Sequence, residues 1–344
     1  MAAKEDILAR HTLMGREASE TPQVVERQLA ANERTLAELG ERLRRAPPSV
    51  VVTCARGSSD HAATYGKYLI ETLLGVPVAS AAPSVASLYA APPRTQGALL
   101  IVISQSGRSP DLIATVDAYR KSGTHAVVLV NDLDSPLAAM ADTLLPLHAG
   151  PELAVAATKS CIAALAGLAA IVAAWSDDAK FREALRNLPP MLEQALELDW
   201  SAAADALQGA RQMFVLGRGY SFGIAQEAAL KLKETCSIQA EPFSSAEVRH
   251  GPMRVIERGF PVLGLATSDS AGDDVASTAR EFAERGATAF IAGQGGDLPV
   301  VPGHPALEPI AMLASFYGMA ERLSLARGMD PDSPPGLAKV TSTR

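Results

Sequence analysis

The chain repeats one local pattern, in which a short aliphatic run is followed by a small polar turn and a helical stretch. The first copy is VVVTCARGSSDHAATYGKYLIETLL, where Val50 to Cys54 form the apolar run and Gly57 to Asp60 the turn. Two further copies are ALLIVISQSGRSPDLIATVDAYRKSG and HAVVLVNDLDSPLAAMA. Strands that alternate with helices in this way form parallel sheets covered by helices on both faces. The pattern therefore predicts an α/β protein.

The same pattern starts again in the second half of the chain. The segment QMFVLGRGYSFGIAQEAALKLKE has the order of the first copy, and aligning the two superposes Arg218-Gly219-x-Ser221 on Arg56-Gly57-x-Ser59. A repeat at equivalent places of two α/β units indicates a duplicated domain. Later strands are expected at PVLGLAT and TAFIAG, and a last helix over about 307–327.

These patterns divide the chain into five segments. With 344 residues it is long enough for about two domains. We expect a helical arm over 1–45, a first α/β domain over 46–175, a helical linker over 176–208, a second domain over 209–330 and a tail over 331–344 that contributes to the site.

Composition excludes several functions. The net charge of -7 leaves no basic surplus for binding a phosphate backbone, so no nucleic acid partner is expected. The longest apolar run, Cys161 to Trp175, is shorter than the roughly 20 residues that span a bilayer, so we expect a buried helix and no membrane segment. The N-terminus lacks the features of a secretory signal, which predicts a cytoplasmic protein. Scattered cysteines and histidines indicate buried thiols and no metal site.

A polar loop follows the strand LLIVIS. It contains Ser104, Gln105, Ser106 and Ser109, and a helix begins directly after it. Ligands bind at the carboxyl ends of parallel strands, where a helix N-terminus offers free N–H groups to an anion. The loop matches neither nucleotide fingerprint, so a single phosphate group is the expected ligand. The alternative is that these residues only form a turn and a helix cap.

Three charged residues share one face of the helix AQEAALKLKE. Glu227, Lys231 and Glu234 are spaced i, i+4, i+7. The stripe is typical of an exposed row of ion pairs. Because the rest of the helix is small and apolar, the row is also consistent with a cleft in which a carboxylate moves a proton between adjacent carbons.

Two isolated residues are further candidates. His250 lies in a predicted loop before Gly251 and Pro252, where it is an acid/base candidate or a structural residue. Lys339 lies in GLAKVTST, which is either a disordered tail or a docked segment with a desolvated amine.

Seven sequence blocks, in order, carry a resemblance to a known family: ETPQVVERQL, RGSSDHAA, ISQSGRSPD, AGPELAVAATKS, LGRGYSFGIAQEAALKLKE, AEPFSSAEVRHGP and GLAKVTST. Over nearly its full length the chain resembles the sugar isomerase (SIS) proteins, in particular the isomerase half of glucosamine-fructose-6-phosphate aminotransferase and the SIS-type glucosamine-6-phosphate deaminase. The resemblance implies two tandem SIS domains, each with a parallel five-stranded sheet flanked by helices.

The resemblance also implies roles for individual residues. Ser59 and Lys231 would join the serine-rich loop in holding the sugar phosphate. Glu234 would move a proton between C1 and C2, Lys339 matches a Schiff-base lysine, and His250 would open the sugar ring from the neighbouring subunit. It therefore implies a homodimer with a shared site, and chemistry that needs no metal or organic cofactor.

Two departures bear on the substrate. The arm leaves no room for a glutaminase domain, so we expect this chain not to use glutamine, and the reverse reaction is favoured. Ala157 replaces a sugar-binding hydroxyl residue and Arg108 an acidic one, which leaves the sugar less defined than the phosphate. We expect a deaminase that converts glucosamine 6-phosphate to fructose 6-phosphate and ammonia. The alternatives are a deglycase or isomerase of another amino- or fructosamine-sugar phosphate, and a non-catalytic sugar-phosphate sensor.

Overall fold

The structure is a computed structural model that describes residues 12–339. The parts of the expected arm and tail at 1–11 and 340–344 lie outside the described residues.

The first sheet has five parallel strands in the order β2-β1-β3-β4-β5. Its three central strands are almost wholly buried, which is why they read as continuous aliphatic runs rather than as an alternating pattern. The strands are β1 Val50–Cys54, β2 Val78–Ser80, β3 Ala98–Ser104, β4 His125–Val130 and β5 Thr143–Pro146.

The second sheet is also parallel, and its order is β7-β6-β8-β9. Within residues 12–339 it has four strands, so the expectation of five was wrong. The chain after β9 returns to the sheet edge only at Leu298, which forms an isolated parallel bridge with Ala292. Pro299 and Pro302 follow, and a proline has no N–H to donate to a ladder. The strands are β6 Gln212–Gly217, β7 Gln239–Ser244, β8 Pro261–Leu265 and β9 Thr288–Ala292.

Helices cover both faces of the two sheets and connect them. Those before the second sheet are α1 Leu13–Ser19, α2 Thr21–Arg45, α3 Ser58–Leu74, α4 Pro83–Ser87, α5 Pro110–Lys121, α6 Pro136–Ala139, α7 Lys159–Ser176, α8 Ala179–Arg186, α9 Leu188–Leu196 and α10 Ser201–Leu207. The remaining α-helices are α11 Phe222–Cys236, α12 Ser270–Glu284 and α13 Glu308–Ala326.

The centre of the molecule is the Ala-rich helix α7. It is the one helix in the described part of the chain whose length and apolar composition would let it cross a membrane, and 89% of that window is buried inside the protein. Helices α2, α3 and α13 pack against it, so it serves as a core helix, as the sequence predicted.

Hydrogen bonds join segments from near the two ends of the described residues, 12–339. The Asp332 carboxylate accepts hydrogen bonds from the main-chain N–H groups of Leu13 and Met14, both at 2.8 Å, at the start of α1. The main-chain N–H of Val155 donates to the Asp332 carbonyl at 3.0 Å. Segments from the arm, the middle of the chain and the tail are therefore fixed to one another.

Candidate active site

The first sheet has a topological switch point between β1 and β3. The chain leaves β1 through α3 toward β2 on one side, and β3 continues the sheet on the other side. In open α/β sheets, ligands bind in the crevice at the carboxyl ends of the two strands that flank such a point. Ser59 lies in the first turn of α3, after β1, and Ser104 is the last residue of β3. The fold thus brings these two predicted residues to the same edge of the sheet.

The loop after β3 is shaped by its own hydrogen bonds. The buried hydroxyl of Ser104 accepts a hydrogen bond from the main-chain N–H of Gly107 at 3.0 Å, and the Gln105 carbonyl accepts two from the loop after β4. Ser106 is half-buried, and Ser109 occupies the N-cap of α5 without a capping bond from its side chain. Polar groups therefore surround the start of α5, as both an anion site and a structural turn require.

An ion pair joins the loops on the two sides of the crevice. The guanidinium of Arg56 contacts the buried carboxylate of Asp111 at 2.8 Å. This pair neutralises an acidic group in the first turn of α5, where a bare carboxylate would repel a phosphate.

The second sheet repeats this pair but not the anion site. Arg218, after β6, contacts Asp274 of α12 at 2.8 Å, as Arg56 contacts Asp111. Here the carboxylate of Asp269 caps the N-terminus of α12, accepting a hydrogen bond from the N–H of Gly272 at 3.0 Å. A negative group therefore already occupies the N-terminus of α12, which makes the start of α5 in the first domain the better candidate for binding an anion.

The charged row on α11 is buried. The side chains of Glu227 and Lys231 are each 1% exposed, and that of Glu234 is 22% exposed. The Lys231 ammonium lies 3.5 Å from a Glu227 oxygen and forms a closer pair with Glu234. The arrangement excludes an exposed stripe of ion pairs and leaves Glu234 as the member that reaches solvent.

The ionisation states in this row follow from its geometry. Burial lowers the pKa of Lys231, but the carboxylates of Glu227 and Glu234 outweigh it and the pKa is raised. Burial raises the pKa of Glu227, but the Lys231 charge and the hydrogen bond with His61 outweigh it and the pKa is lowered. Both groups are therefore charged at neutral pH.

Lys339 is held by a different carboxylate. Its ammonium donates to Glu152 at 3.1 Å and to the carbonyl of Ala154 at 2.7 Å. Glu152 is fully buried and also accepts hydrogen bonds from the main-chain N–H groups of Thr158 and Ser160 and from the Ser160 hydroxyl. Burial raises the pKa of Glu152, but the Lys339 charge and these hydrogen bonds outweigh burial, so the pKa is lowered and the pair is ionic.

The thiol of Cys161, on α7, interacts electrostatically with both Glu227 and Glu152. Burial, followed by the charges of Glu227 and Glu152, raises the pKa of its thiol well above the usual value. The thiol is therefore neutral, and it is influenced both by the carboxylate that holds Lys339 and by the α11 row.

His250 stands apart from this cluster within the chain. Its 3₁₀ turn is anchored by Val248, which packs with Phe214 and Val262 in the core that α12 covers. The apolar side of α11 packs in the other core, on the opposite face of the sheet. Among residues 12–339 the His250 imidazole makes no hydrogen bond or ion pair.

Sequence reasoning missed two groups and left a third without a role. His61 contacts Glu227 through Nδ1 at 2.8 Å, and Glu152 holds Lys339. His61 follows Ser59 by two residues in the same turn, and this position after the first strand could have marked it as a candidate site residue. Glu227 had the right spacing, whereas nothing local marked Glu152 as the partner of Lys339, because the two residues are far apart in the sequence.

The model of the SIS domain family matches residues 46–174 and 206–292. The chain belongs to the SIS domain family. The glutamine–fructose-6-phosphate aminotransferase (isomerizing) of Geobacillus kaustophilus is 36% identical in an alignment of length 304, and the match covers 84% of this chain and 50% of that protein. The chain thus spans about half the length of the curated relatives it matches.

Two solved structures share the whole SIS architecture. A protein of Silicibacter pomeroyi, provisionally assigned as a phosphosugar isomerase, has a TM-score of 0.90 and 44% identity, over 93% of this chain and 100% of that chain. The glucosamine-6-phosphate deaminase of Thermotoga maritima has a TM-score of 0.73 and 21% identity, again over 93% and 100%, and this likeness shows the fold alone. The predicted family is confirmed, and the fold is that of the SIS phosphosugar isomerases.

Proposed function

We propose that this SIS protein is a glucosamine-6-phosphate deaminase that forms fructose 6-phosphate and ammonia. The observation that carries the proposal is the buried row Glu227–Lys231–Glu234, in contact through His61 with the helix that begins at the phosphate crevice. A sensor would need the phosphate loop but has no use for a charged row whose outer carboxylate reaches solvent.

The phosphate group would bind at the switch point of the first sheet. The proposed donors are Ser59, the loop residues Ser104, Gln105, Ser106 and Ser109, and the N–H groups at the start of α5. Lys231 would add a positive charge to the same pocket.

Proton transfer would fall to Glu234. Its carboxylate removes the C2 proton of the open-chain sugar and returns it at C1, while the amine loses a proton and the aldehyde oxygen gains one, so that C1 becomes a CH2OH group and C2 an imine. Water adds to that imine, and cleavage of the C2–N bond releases ammonia and leaves the ketone of fructose 6-phosphate. The ammonium of Lys231 holds Glu234 in place. The substrate supplies its own amine, so Lys339 would orient the sugar without having to form a Schiff base.

The charges near the reacting end favour an amino sugar. Three carboxylates, Glu152, Glu227 and Glu234, face two ammonium groups, those of Lys231 and Lys339. A substrate that carries an ammonium group at C2 balances the surplus negative charge, and a sugar with a hydroxyl at C2 does not.

Ring opening and assembly remain proposals from the resemblance. His250 lies away from Glu234 in its own chain, so it would act on the site of a neighbouring subunit in a homodimer. Chemistry without a cofactor is a proposal of the same kind, whereas a cytoplasmic location and the five-segment division of the chain are proposals from the sequence pattern. A deglycase or isomerase of another sugar phosphate is the second candidate, because Arg108 pairs with Asp132 beside the phosphate loop in place of the acidic residue expected there.

The test is release of ammonia and fructose 6-phosphate from glucosamine 6-phosphate by the purified chain without added metal. We expect equal amounts of both products. Glu234→Gln should lower kcat by about a hundredfold or more while sugar-phosphate binding is retained. Glu284→Gln, on the exposed surface of α12, is the matched control and should behave as wild type. Loss of binding in Glu234→Gln would refute the role of Glu234, and absence of both products with wild type would refute the deaminase.

A further inference from the structure

His61 and Glu227 form a carboxylate–imidazole pair that bridges the two halves of the chain. The Nδ1 atom of His61, on α3, lies 2.8 Å from a Glu227 oxygen, on α11. The Glu227 carboxylate is ionised and can only accept a hydrogen bond, so Nδ1 carries the proton. In the neutral ring Nε2 then has a free lone pair, which is the state of a histidine that acts as a general base.

The position of the imidazole is fixed by a close helix crossing. Gly223, one turn before Glu227 on α11, lies so near α3 that a Cβ there would come within 2.5 Å of the His61 carbonyl oxygen. The absence of that Cβ allows the two helices to touch at His61. The imidazole is therefore held by its own main chain and by a buried carboxylate at the same time.

The other ring nitrogen is available. Among residues 12–339 the Nε2 atom of His61 has no hydrogen-bond partner, and the side chain is 19% exposed. His61 lies in the first turn of α3, as does Ser59 of the proposed phosphate site. In a hexose 6-phosphate only a few covalent bonds separate the phosphorus from the ring oxygen and C1. His61 is two residues after Ser59, so its side chain leaves α3 on another side, toward α11. Its Nε2 reaches the bond that must break in ring opening when the sugar extends from the phosphate toward α11.

We propose that His61 is a second acid–base group for ring opening, acting within a single subunit and positioned by Glu227. Its Nε2 removes the proton of the C1 hydroxyl as the C1–O5 bond breaks and the C1 carbonyl forms, and the same proton is then returned to O5. The step is an internal proton transfer and needs no co-reactant. It rests on the proposed sugar-phosphate site and precedes the loss of the amine.

Ring opening can be measured apart from deamination. The enzyme-catalysed exchange between the α and β anomers of glucosamine 6-phosphate is followed by exchange NMR, with the full chain in a Glu234→Gln background so that the sugar persists. Glucose 6-phosphate is run in parallel, because its anomers exchange by the same step whether or not the chain acts on amino sugars. Ammonia release by wild type, measured separately, tests the deaminase itself.

The decisive variant is His61→Asn. The amide nitrogen of asparagine can still donate to Glu227 but offers no base in place of Nε2. We expect anomer exchange to fall by about a hundredfold, with unchanged binding of glucitol 6-phosphate, an open-chain sugar phosphate. The control is His125→Asn, because His125 is also half-buried and bonded through one ring nitrogen, at the opposite edge of the sheet.

Three results would overturn the inference. The first is anomer exchange no faster than the uncatalysed rate in the Glu234→Gln parent with either sugar. The second is exchange in His61→Asn within about twofold of that parent, since a general base contributes far more. The third is loss of glucitol 6-phosphate binding in His61→Asn, which would make His61 a structural or phosphate-binding residue.

Discussion

Replacement of Lys231 by methionine tests the interpretation that the α11 row is a buried charge network. At an effective dielectric constant of about 20, two unit charges 3.5 Å apart attract each other by roughly 5 kcal/mol. Loss of one member of a buried pair typically costs about 3–5 kcal/mol, because the other charge remains uncompensated. Glu227 keeps its bond to His61. We therefore expect the free energy of unfolding to fall by about 3 kcal/mol near neutral pH.

The penalty should depend on pH. In the wild type the folded-state pKa of Glu227 lies below its usual value of 4.5, so its ionisation contributes stability above that pH that is lost as the pH falls. Without Lys231, burial dominates and raises the folded-state pKa of Glu227 above the usual value. The variant then loses stability as the pH rises through that range. The difference between wild type and variant should be largest at about pH 7.5 and smaller at about pH 5.

The measurement is urea unfolding followed by the fluorescence of Trp175 and Trp200, both buried in the core. Lys233→Met is the matched control, because Lys233 is on the same helix but exposed, with its ammonium bonded to a carbonyl. Its stability should change by less than about 1 kcal/mol. Equal penalties for the two variants, or a Lys231→Met penalty that does not change with pH, would refute the reasoning.

Two further predictions concern packing and the tail. Gly223→Ala should destabilise the protein by about 2 kcal/mol, because the added Cβ would meet main-chain atoms of α3 at 2.5 and 2.8 Å. Gly318→Ala has open space around the added Cβ on α13 and should stabilise the protein by about 0.5–1 kcal/mol. Urea unfolding measures both changes, and a change of the same sign in the two variants would contradict this packing. Glu152→Gln should release the Lys339 amine. Acetylation of amines followed by mass spectrometry should then show a reaction at Lys339 that is at least about tenfold faster, which corresponds to the loss of about 1.4 kcal/mol of ion-pair energy. An unchanged rate of acetylation would contradict the proposed anchoring.

Much of the fold could be predicted from local patterns. The run Val50 to Cys54 is β1 as predicted, and the last helix, expected over about 307–327, is α13 at Glu308–Ala326. The sequence did not predict that the second sheet would lack a fifth strand. Whether a segment joins a sheet edge depends on N–H donors, which Pro299 lacks, and on neighbours far away in the sequence. The expectation of five strands came from the family resemblance and not from the local sequence pattern.

The site was predictable in part. The loop after β3 and the row on α11 each lie in one stretch of sequence, so spacing revealed them. Whether the row on α11 was exposed or buried could not be settled, since its charge pattern is the same in both cases. Its burial came from the packing of α3, α7 and α13 around α11.

By itself the sequence determined the strand and helix periods, the duplicated turn and the family, because each of these is written in neighbouring residues. The tertiary structure alone decided that His61 faces Glu227 across the two halves of the chain, and that Glu152 anchors Lys339. The physical reason is distance along the chain. The partners in these two pairs are separated by 166 and 187 residues, and a carboxylate gives no local sign of which distant cation or helix it will meet.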